Sequence, residues 1–249
     1  MYNLYAIFTV FIIVLGNYTC RCRRTTYENN KISKKPESQI NILSYNVQRL
    51  PIFFRRDIDI NSLIEKYEII CLQEHMSNIR YSIQSYGYNI IHPAAKSYKV
   101  VTDSGLTIYS IYQIEFLDFV EYDKSESIDR FADKGFLVVK ILDIIVINTH
   151  LQAYGSHIKY DQFKQLFDYI NSKFNKTIKI IIIGDFNLDL RTMIVEHFDK
   201  ISPLESTHFD KEPQFIDGAF YRNLNILYTG LEKMDKLTDH FGVCMQLKL

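Results

Sequence analysis

The feature that most constrains the fold is a run of four isoleucines, Ile180 to Ile183, followed by Gly184, Asp185, Phe186 and Asn187. Four consecutive β-branched residues in a short apolar run predict a strand that is buried on both faces. Gly184 allows a sharp turn at its end, and the i, i+2 spacing of Asp185 and Asn187 points both side chains the same way in an extended chain. The sequence therefore predicts a central strand with a carboxylate and a carboxamide side by side at its end.

Other predicted strands carry polar side chains at or near their ends. The apolar runs at residues 40–47, 69–72 and 144–149 end close to such a residue, and Thr238-Asp239-His240 precedes a last strand at residues 241–247. The polar residues at these positions, one of them inside the strand predicted at residues 215–221, are Asn46, Glu74, His150, Asp185, Asn187, Asp217, Asp239 and His240. Because the strand ends of one sheet system meet at a rim, we expect these side chains to form one site.

Helices are predicted between some of these strands. Apolar residues recur at helical spacing from Phe163 to Phe174, which predicts a helix that begins at Ser156 and faces the core. A second helix is predicted from Thr192 to Phe198. The strand at residues 114–120 is expected to pair with the strand at residues 104–110.

Length and composition favour one globular domain, since the 249 residues are 47% hydrophobic and 23% charged and contain no internal repeat. We place that domain at residues 40–249. The net charge is zero, but the first 40 residues hold six basic and two acidic side chains, which leaves 29−6 = 23 basic and 29−2 = 27 acidic residues in the domain. A mildly acidic body disfavours a polynucleotide as the main substrate.

The N-terminus differs from the rest of the chain. Residues 1–24 contain an apolar run of about a dozen residues, which is the length of a signal-peptide core and short of a membrane span. The arginines that follow would also suit an uncleaved anchor, so a cleaved signal peptide and a membrane tether through residues 4–19 both remain open. Residues 25–39 are predicted to be a polar linker, and the sequons at Asn17 and Asn175 suit a secreted or membrane-associated glycoprotein.

The clustered residue types restrict the chemistry. The sequence has no nucleophilic Ser or Cys in a turn motif and no Gly-rich phosphate loop, which disfavours acyl transfer and nucleotide kinases. Carboxylate and carboxamide oxygens are hard ligands, so the expected cofactor is Mg²⁺, with Mn²⁺ and Ca²⁺ as alternatives. Cys71 and Cys244 lie in apolar strand-like runs and are expected to be free thiols.

Five short motifs occur in a characteristic order: Ser44-Tyr45-Asn46, Leu72-Gln73-Glu74, Asn148-Thr149-His150, Gly184-Asp185-Phe186-Asn187 and Asp239-His240. Together they resemble the endonuclease/exonuclease/phosphatase superfamily over residues 40–249. The resemblance implies an α/β fold, the DNase-I-like four-layer sandwich of two central mixed β-sheets flanked by helices.

Within the superfamily, the chain looks most like the neutral sphingomyelinase-type phosphodiesterases. That likeness rests on Ser104-Gly105-Leu106, Asp133-Lys134-Gly135-Phe136 and residues 149–153. Lys159 stands where that group usually has Arg, and Thr238 where it has Ser. The chain has no Trp, and we find no long aromatic hairpin for insertion into a membrane.

The resemblance also implies residue roles at the metal. Glu74 would bind the divalent ion, with Asn46 beside it and in reach of the substrate. Asp239 is assigned to the metal shell or to the groups around it.

The other implied roles concern the reaction itself. Asp185 would orient or deprotonate the attacking water, and the side chains of Asn187, His150 and His240 would donate hydrogen bonds to the phosphate oxygens. A carboxylate that contacts His240 would fix its tautomer and favour its protonated form, and we assign that position to Asp217.

These assignments predict a magnesium-dependent phosphodiesterase that is a monomer and hydrolyses its substrate by in-line attack of water. A sphingomyelin-type lipid is the favoured substrate, and a secreted DNase-I-like nuclease is the main alternative. A phosphoinositide-type phosphatase and a catalytically silent binding protein are the others, although a silent protein would not be expected to retain all of the site residues.

Overall fold

The computed structural model describes residues 26–28, 38–49, 61–76, 87–93, 103–209, 213–233 and 238–249. The strands of the first sheet are Thr26–Glu28 (β1), Gln39–Arg49 (β2), Ile69–His75 (β3), Asn89–His92 (β4), Thr107–Ser110 (β5), Asn225–Glu232 (β12) and Gly242–Lys248 (β13). Those of the second are Ile114–Glu121 (β6), Gly135–Ile141 (β7), Ile144–His150 (β8), Lys179–Asp185 (β9), Asp199–Ile201 (β10) and Asp217–Arg222 (β11). The helices are Asn61–Ile64 (α1), Ser156–Lys173 (α2) and a 3-10 helix at Ser127–Phe131.

The two sheets pack face to face. Their strand orders are β1-β4-β5-β3-β2-β13-β12 and β10-β11-β9-β8-β7-β6, and the parallel pairs β2–β3 and β8–β9 make both sheets mixed. One apolar core fills the space between the sheets, a second lies under α2, and a third lies between the first sheet and α1. The expected four-layer α/β sandwich is therefore confirmed.

Strand β9 is buried on both faces, as its isoleucines predict. Ile181 and Ile183 belong to the core between the sheets, while Ile180 and Ile182 pack under α2. Burial of each Ile side chain stabilises the fold by about 1.5–3 kcal/mol. Because β9 packs against the first sheet on one face and α2 on the other, it holds these two layers and its own sheet together.

Register places three of the polar strand-end residues in one row. In the parallel pair β8–β9, His150 lies opposite Asp185, and in the antiparallel pair β9–β11, Asp217 lies opposite Asp185. The three side chains are consequently neighbours across adjacent strands.

Two local predictions are wrong. Residues 192–198 form turns and irregular structure instead of a helix. Lys200 Nζ donates to the carbonyls of Leu190 and Arg191, just before the predicted helix, and to that of Met193, which a helix would use internally. Strand β6 pairs with β7 instead of β5, because β3 and β4 already occupy both edges of β5. The chain therefore crosses to the other sheet after Ser110.

Residues 1–25 and 29–37, which hold the predicted targeting segment and most of the predicted linker, lie outside the described residues. Strand β1 lies within the linker segment and pairs with β4, so the first sheet reaches into it. In the described part of the chain, no helix is both long enough and apolar enough to span a membrane. Cys71 and Cys244 are free thiols, as expected.

Candidate active site

The predicted site residues converge on one edge of the sandwich, and both sheets contribute to them. Asn46 and Glu74 come from β2 and β3 of the first sheet, and His150, Asp185 and Asp217 come from β8, β9 and β11 of the second. The side chain of Asn46 joins the two groups, because its Nδ2 donates to Glu74 Oε1 at 3.2 Å and to Asp185 Oδ2 at 3.0 Å.

The position of Asn46 is fixed by its surroundings. It is fully buried, and its Oδ1 accepts a hydrogen bond from the backbone N–H of Gln48 at 3.0 Å. Asn46 therefore donates hydrogen bonds to the carboxylates of Glu74 and Asp185 and holds them close together. Its roles as a metal ligand and in substrate binding stay predictions.

Asp185 lies close to both histidines that the sequence placed in the site, His150 and His240. Its Oδ1 accepts the backbone N–H of Asn187 at 2.9 Å, and its Oδ2 lies 3.5 Å from His150 Nε2 and 3.9 Å from His240 Nε2. Burial, together with the charge of Asp217, raises the pKa of Asp185 to about 6. A carboxylate with a raised pKa is a better proton acceptor near neutral pH.

His240 and Asp217 form a buried pair. His240 Nδ1 lies 2.8 Å from Asp217 Oδ2, so the predicted contact between these residues is present. Burial opposes protonation of the ring, but Asp217, Asp185 and Asp239 outweigh it and raise the pKa of His240 to about 10. The imidazole is therefore cationic at neutral pH, with Nε2–H facing the site.

His150 meets a buried lysine. Lys134 Nζ lies 3.0 Å from His150 Nε2, and it also contacts the carbonyl oxygen of Leu151 and Asp129 Oδ1. Because an ammonium group only donates, His150 Nε2 is the acceptor here. Burial, followed by the charges of Lys134 and His240, lowers the pKa of His150 well below its usual value, so the ring is neutral. The donor role assigned to His150 stays a prediction.

Two further site residues have unusual backbone angles. Glu74 has a φ of 52° and Asn187 a φ of 50°, a left-handed region that is costly for most side chains other than glycine. Asn187 Nδ2 donates to the carbonyl oxygen of Leu151 at 3.0 Å, which holds the amide beside the end of β8. Such strain is common where a chain must aim a side chain into a site.

Asp239 lies at the mouth of the site with a second histidine. Its Oδ2 accepts from Gln48 Nε2 at 2.6 Å and lies 3.6 Å from His208 Nε2, while its Oδ1 lies 3.7 Å from His240 Nε2. The rings of His208 and His240 are 4.6 Å apart. Burial alone would raise the pKa of Asp239, but the two imidazoles hold it below its usual value.

The donor set suits a hard divalent cation. Glu74 Oε1 is part of a side chain that remains 18% exposed at the open end of the site, and it lies beside the buried carboxylate of Asp185. Carboxylate oxygens that remain open to water are what Mg²⁺ uses in proteins, so these residues fit such an ion.

Residues 43–240 match the Endonuclease/Exonuclease/phosphatase family. The chain belongs to this family. The matched region contains every residue placed in the site, from Asn46 to His240. The family assignment therefore rests on the same part of the chain that forms the site.

Similar proteins include lipid-acting and nucleic-acid-acting members. The chain is 27% identical over 214 residues to a sphingomyelinase of Dictyostelium discoideum, an alignment that covers 65% of this chain and 46% of the relative. The chain thus spans about half the length of the curated relative that it matches. In fold, it resembles Staphylococcus aureus beta toxin with bound magnesium ions (TM-score 0.64, 16% identity, 83% of this chain and 99% of the other). It also resembles D. rerio TDP2 in complex with a single-strand DNA product (TM-score 0.62, 14% identity, 86% and 100%).

Three basic side chains near the site received no role from sequence reasoning. Lys134 was noted only as part of the Asp133-Lys134-Gly135 motif, and Lys159, which is half-buried and interacts with Asp185, only as a departure from Arg. His208 gave no local signal, because it lies in the stretch before β11, away from any predicted strand end. For Lys134, the one clue in the sequence was its position directly before strand β7, next to the site.

Proposed function

We propose that this protein is a metal-dependent phosphodiesterase that hydrolyses its substrate by in-line attack of water, with a sphingomyelin-type lipid as the favoured substrate. The observation that carries the proposal is a buried carboxylate of raised pKa, Asp185, that lies 3.9 Å from His240 Nε2 and 3.5 Å from His150, the ring that Lys134 contacts. A phosphodiester reaction needs a proton acceptor for water and positive charge for the phosphate oxygens.

Each residue has a task in the proposed reaction. Asp185 orients the attacking water and accepts its proton, while Asn46 keeps the carboxylate oriented. His240 Nε2–H donates to a phosphate oxygen as negative charge builds, and Asp217 keeps His240 protonated. Lys134, whose three N–H groups are taken by His150, Leu151 and Asp129, adds positive charge from behind His150. Glu74 would hold a divalent ion, which would supply further positive charge for the phosphate.

The substrate preference rests on the similarity to the Dictyostelium sphingomyelinase and on the charge balance of the domain. A nuclease would gain from a basic groove, whereas residues 41–249 carry more acidic than basic side chains. A DNase-I-like nuclease remains the second candidate, because a relative of the same fold binds a single-strand DNA product.

The experiment that tests the substrate offers the purified full-length chain sphingomyelin liposomes and plasmid DNA in parallel, each with magnesium and with a chelator. We expect release of phosphocholine with magnesium only. Cleavage of DNA without phosphocholine release would favour the nuclease, and activity that persists in the chelator would refute the metal requirement.

A charge-neutral variant of the proposed metal ligand addresses the ion directly. Glu74→Gln should raise the magnesium concentration needed for half-maximal activity by on the order of 10-fold or more. The matched control is Glu65→Gln, which changes an exposed residue just after α1. It should leave the magnesium concentration for half-maximal activity unchanged.

We also propose that the protein enters the secretory pathway, either secreted or tethered through residues 4–19, and acts as a monomer. Supporting this, Asn175 of the second sequon is exposed, and its Oδ1 accepts from Thr177 N and Thr177 Oγ1 in a surface turn. Glycosidase treatment should lower the apparent mass of the protein made in eukaryotic cells. The decrease should be smaller for Asn175→Gln, which lacks the second sequon, and unchanged for the control Asn171→Gln. An unglycosylated cytosolic protein with an intact N-terminus would refute the proposal.

A further inference from the structure

Three ligand-type side chains meet at the mouth of the site: His208, Asp239 and His240. One ligand atom from each lies within 4.8 Å of the other two. His208 Nε2 and His240 Nε2 lie 3.6 Å and 3.7 Å from the Asp239 carboxylate oxygens. These two distances end at different oxygens of Asp239, Oδ2 and Oδ1. Ligand atoms around tetrahedral Zn²⁺, at about 2.0–2.1 Å from the metal, are roughly 3.3 Å apart, so side-chain movements of about 1 Å would bring one atom from each residue to a shared ion.

The backbone holds these residues together without a ligand. His208 and His240 form an antiparallel bridge pair, in which Phe209 N–H donates to the Asp239 carbonyl at 2.9 Å and Phe241 N–H donates to the Thr207 carbonyl at 2.7 Å. The stretch that carries His208 is therefore fixed against the segment that carries the other two residues, and a site built this way needs little reorganisation to bind an ion.

The groups behind the cluster are those that usually support a metal ligand. His240 Nδ1 bonds to Asp217 Oδ2 at 2.8 Å, which forms the carboxylate–histidine arrangement common behind metal-bound imidazoles. Gln48 Nε2 donates to Asp239 Oδ2 at 2.6 Å and orients that carboxylate. Two of the three candidate ligands thus have an outer partner that fixes their direction.

We propose that His208, Asp239 and His240 form a binding site for a borderline divalent ion of the Zn²⁺ class, separate from the Mg²⁺ position at Glu74, and that occupancy inhibits hydrolysis. Two imidazole nitrogens and one carboxylate oxygen suit Zn²⁺ or Co²⁺, whereas Mg²⁺ prefers oxygen ligands. Inhibition rests on the proposed function, since an ion on His240 Nε2 would occupy the atom that is proposed to bind the phosphate.

The binding test uses the full-length chain with saturating magnesium and titrates Co²⁺ while the visible spectrum is recorded. We expect one Co²⁺ per chain with the strong absorption of tetrahedral coordination, displaced by Zn²⁺. His208→Gln should weaken binding by on the order of 10²-fold, because one of three ligands is lost. His197→Gln is the matched control, since the His197 ring contacts Lys176 and Glu196, neither of which belongs to the cluster. Equal binding by the wild type and His208→Gln would overturn the site.

The inhibition test separates this inference from the proposed function. Zn²⁺ should inhibit phosphodiester hydrolysis by the wild type and by His197→Gln, and His208→Gln should need on the order of 10² times more Zn²⁺. Equal inhibition of His208→Gln would overturn the inhibitory role. If no phosphodiester is hydrolysed at all, the proposed function fails, and the Co²⁺ spectrum alone decides the site.

Discussion

At the scale of single residues, the site depends on charges that are held where water cannot screen them. Asp185 and Asp217 are both almost fully buried, and His240 lies between the two carboxylates, bonded to one and 3.9 Å from the other. Burial and the charge of Asp217 raise the pKa of Asp185, and the charge of His240 partly offsets that effect. The result is a base and a cation side by side, which an exposed site could not maintain.

Asp185→Asn should separate catalysis from stability. We expect turnover to fall by on the order of 10²-fold or more, because the proton acceptor is lost. Thermal stability should stay the same or rise, since the change removes a buried negative charge beside Asp217. Asp189→Asn, the same substitution at a partly exposed residue paired with Arg191, is the control and should keep full activity. A folded Asp185→Asn protein with wild-type turnover would remove this residue from the mechanism.

Lys134→Gln tests the second cation. The ammonium group is nearly buried and lies 3.2 Å from Asp129 Oδ1 and 3.0 Å from His150 Nε2. Loss of this preorganised positive charge beside the site should lower kcat by on the order of 10²-fold. Lys140→Gln is the control: this lysine lies in β7, the strand that follows Lys134, but is exposed and paired with Glu115, so the change should have no effect. Unchanged kcat in Lys134→Gln would show that this lysine has only a structural role.

At the scale of elements, the junction of β8 and β9 sets the spacing of the site. Gly184 has a φ of 154°, and a Cβ at that position would lie 1.9 Å from the carbonyl oxygen of Thr149 in the neighbouring strand. The neighbour is backbone and cannot move aside as a flexible side chain would. Glycine therefore lets His150 and Asp185 approach each other across the strand pair.

Gly184→Ala should separate β8 from β9. We expect a loss of about 3 kcal/mol or more in the free energy of unfolding, because a methyl group overlaps a backbone carbonyl. Gly87→Ala is the matched control: its φ is also positive, at 78°, but nothing lies within 4 Å of the added Cβ, so only the backbone cost of about 1–2 kcal/mol applies. Urea unfolding of both variants makes the comparison, and equal losses would contradict the proposed close contact.

At the scale of the whole molecule, a buried polar link joins the two sheets near the site residues. Gln73 of β3 donates through Nε2 to Asn148 Oδ1 of β8 at 2.7 Å, and Asn148 Nδ2 donates to the carbonyls of Leu72 and Thr107. Both side chains are fully buried. The link sets the sheets in one relative position, and the site needs that position because its residues come from both sheets.

A double-mutant cycle measures this link. Asn148→Leu should destabilise the fold by about 1–3 kcal/mol, since it leaves buried carbonyls and Gln73 without their partner, and Gln73→Leu should cost less. The double variant should cost less than the sum of the two by about 1 kcal/mol, as expected for residues in contact. Urea unfolding provides the free energies, and strict additivity would mean that the bond contributes nothing to sheet packing.

The sequence by itself determined the elements and most of the site. The buried strand at Ile180 to Ile183 followed from β-branching in a continuous apolar run, and the helix from Ser156 followed from its apolar period, because both patterns are local. The polar residues at strand ends predicted a shared site without any coordinate. The contact of Asp217 with His240 followed from the need of a buried imidazolium for a carboxylate.

Only the tertiary structure decided what depends on partners distant in the chain. It placed β6 beside β7 because both edges of β5 were already paired, and it replaced the helix at residues 192–198 by turns whose carbonyls bind Lys200. It also brought Lys134 to His150 and His208 to Asp239. No local sequence pattern predicts these contacts, because strand pairing and burial join residues that are distant in the chain. The contacts of Lys134 and His208 set the charge and the possible metal ligands of the site.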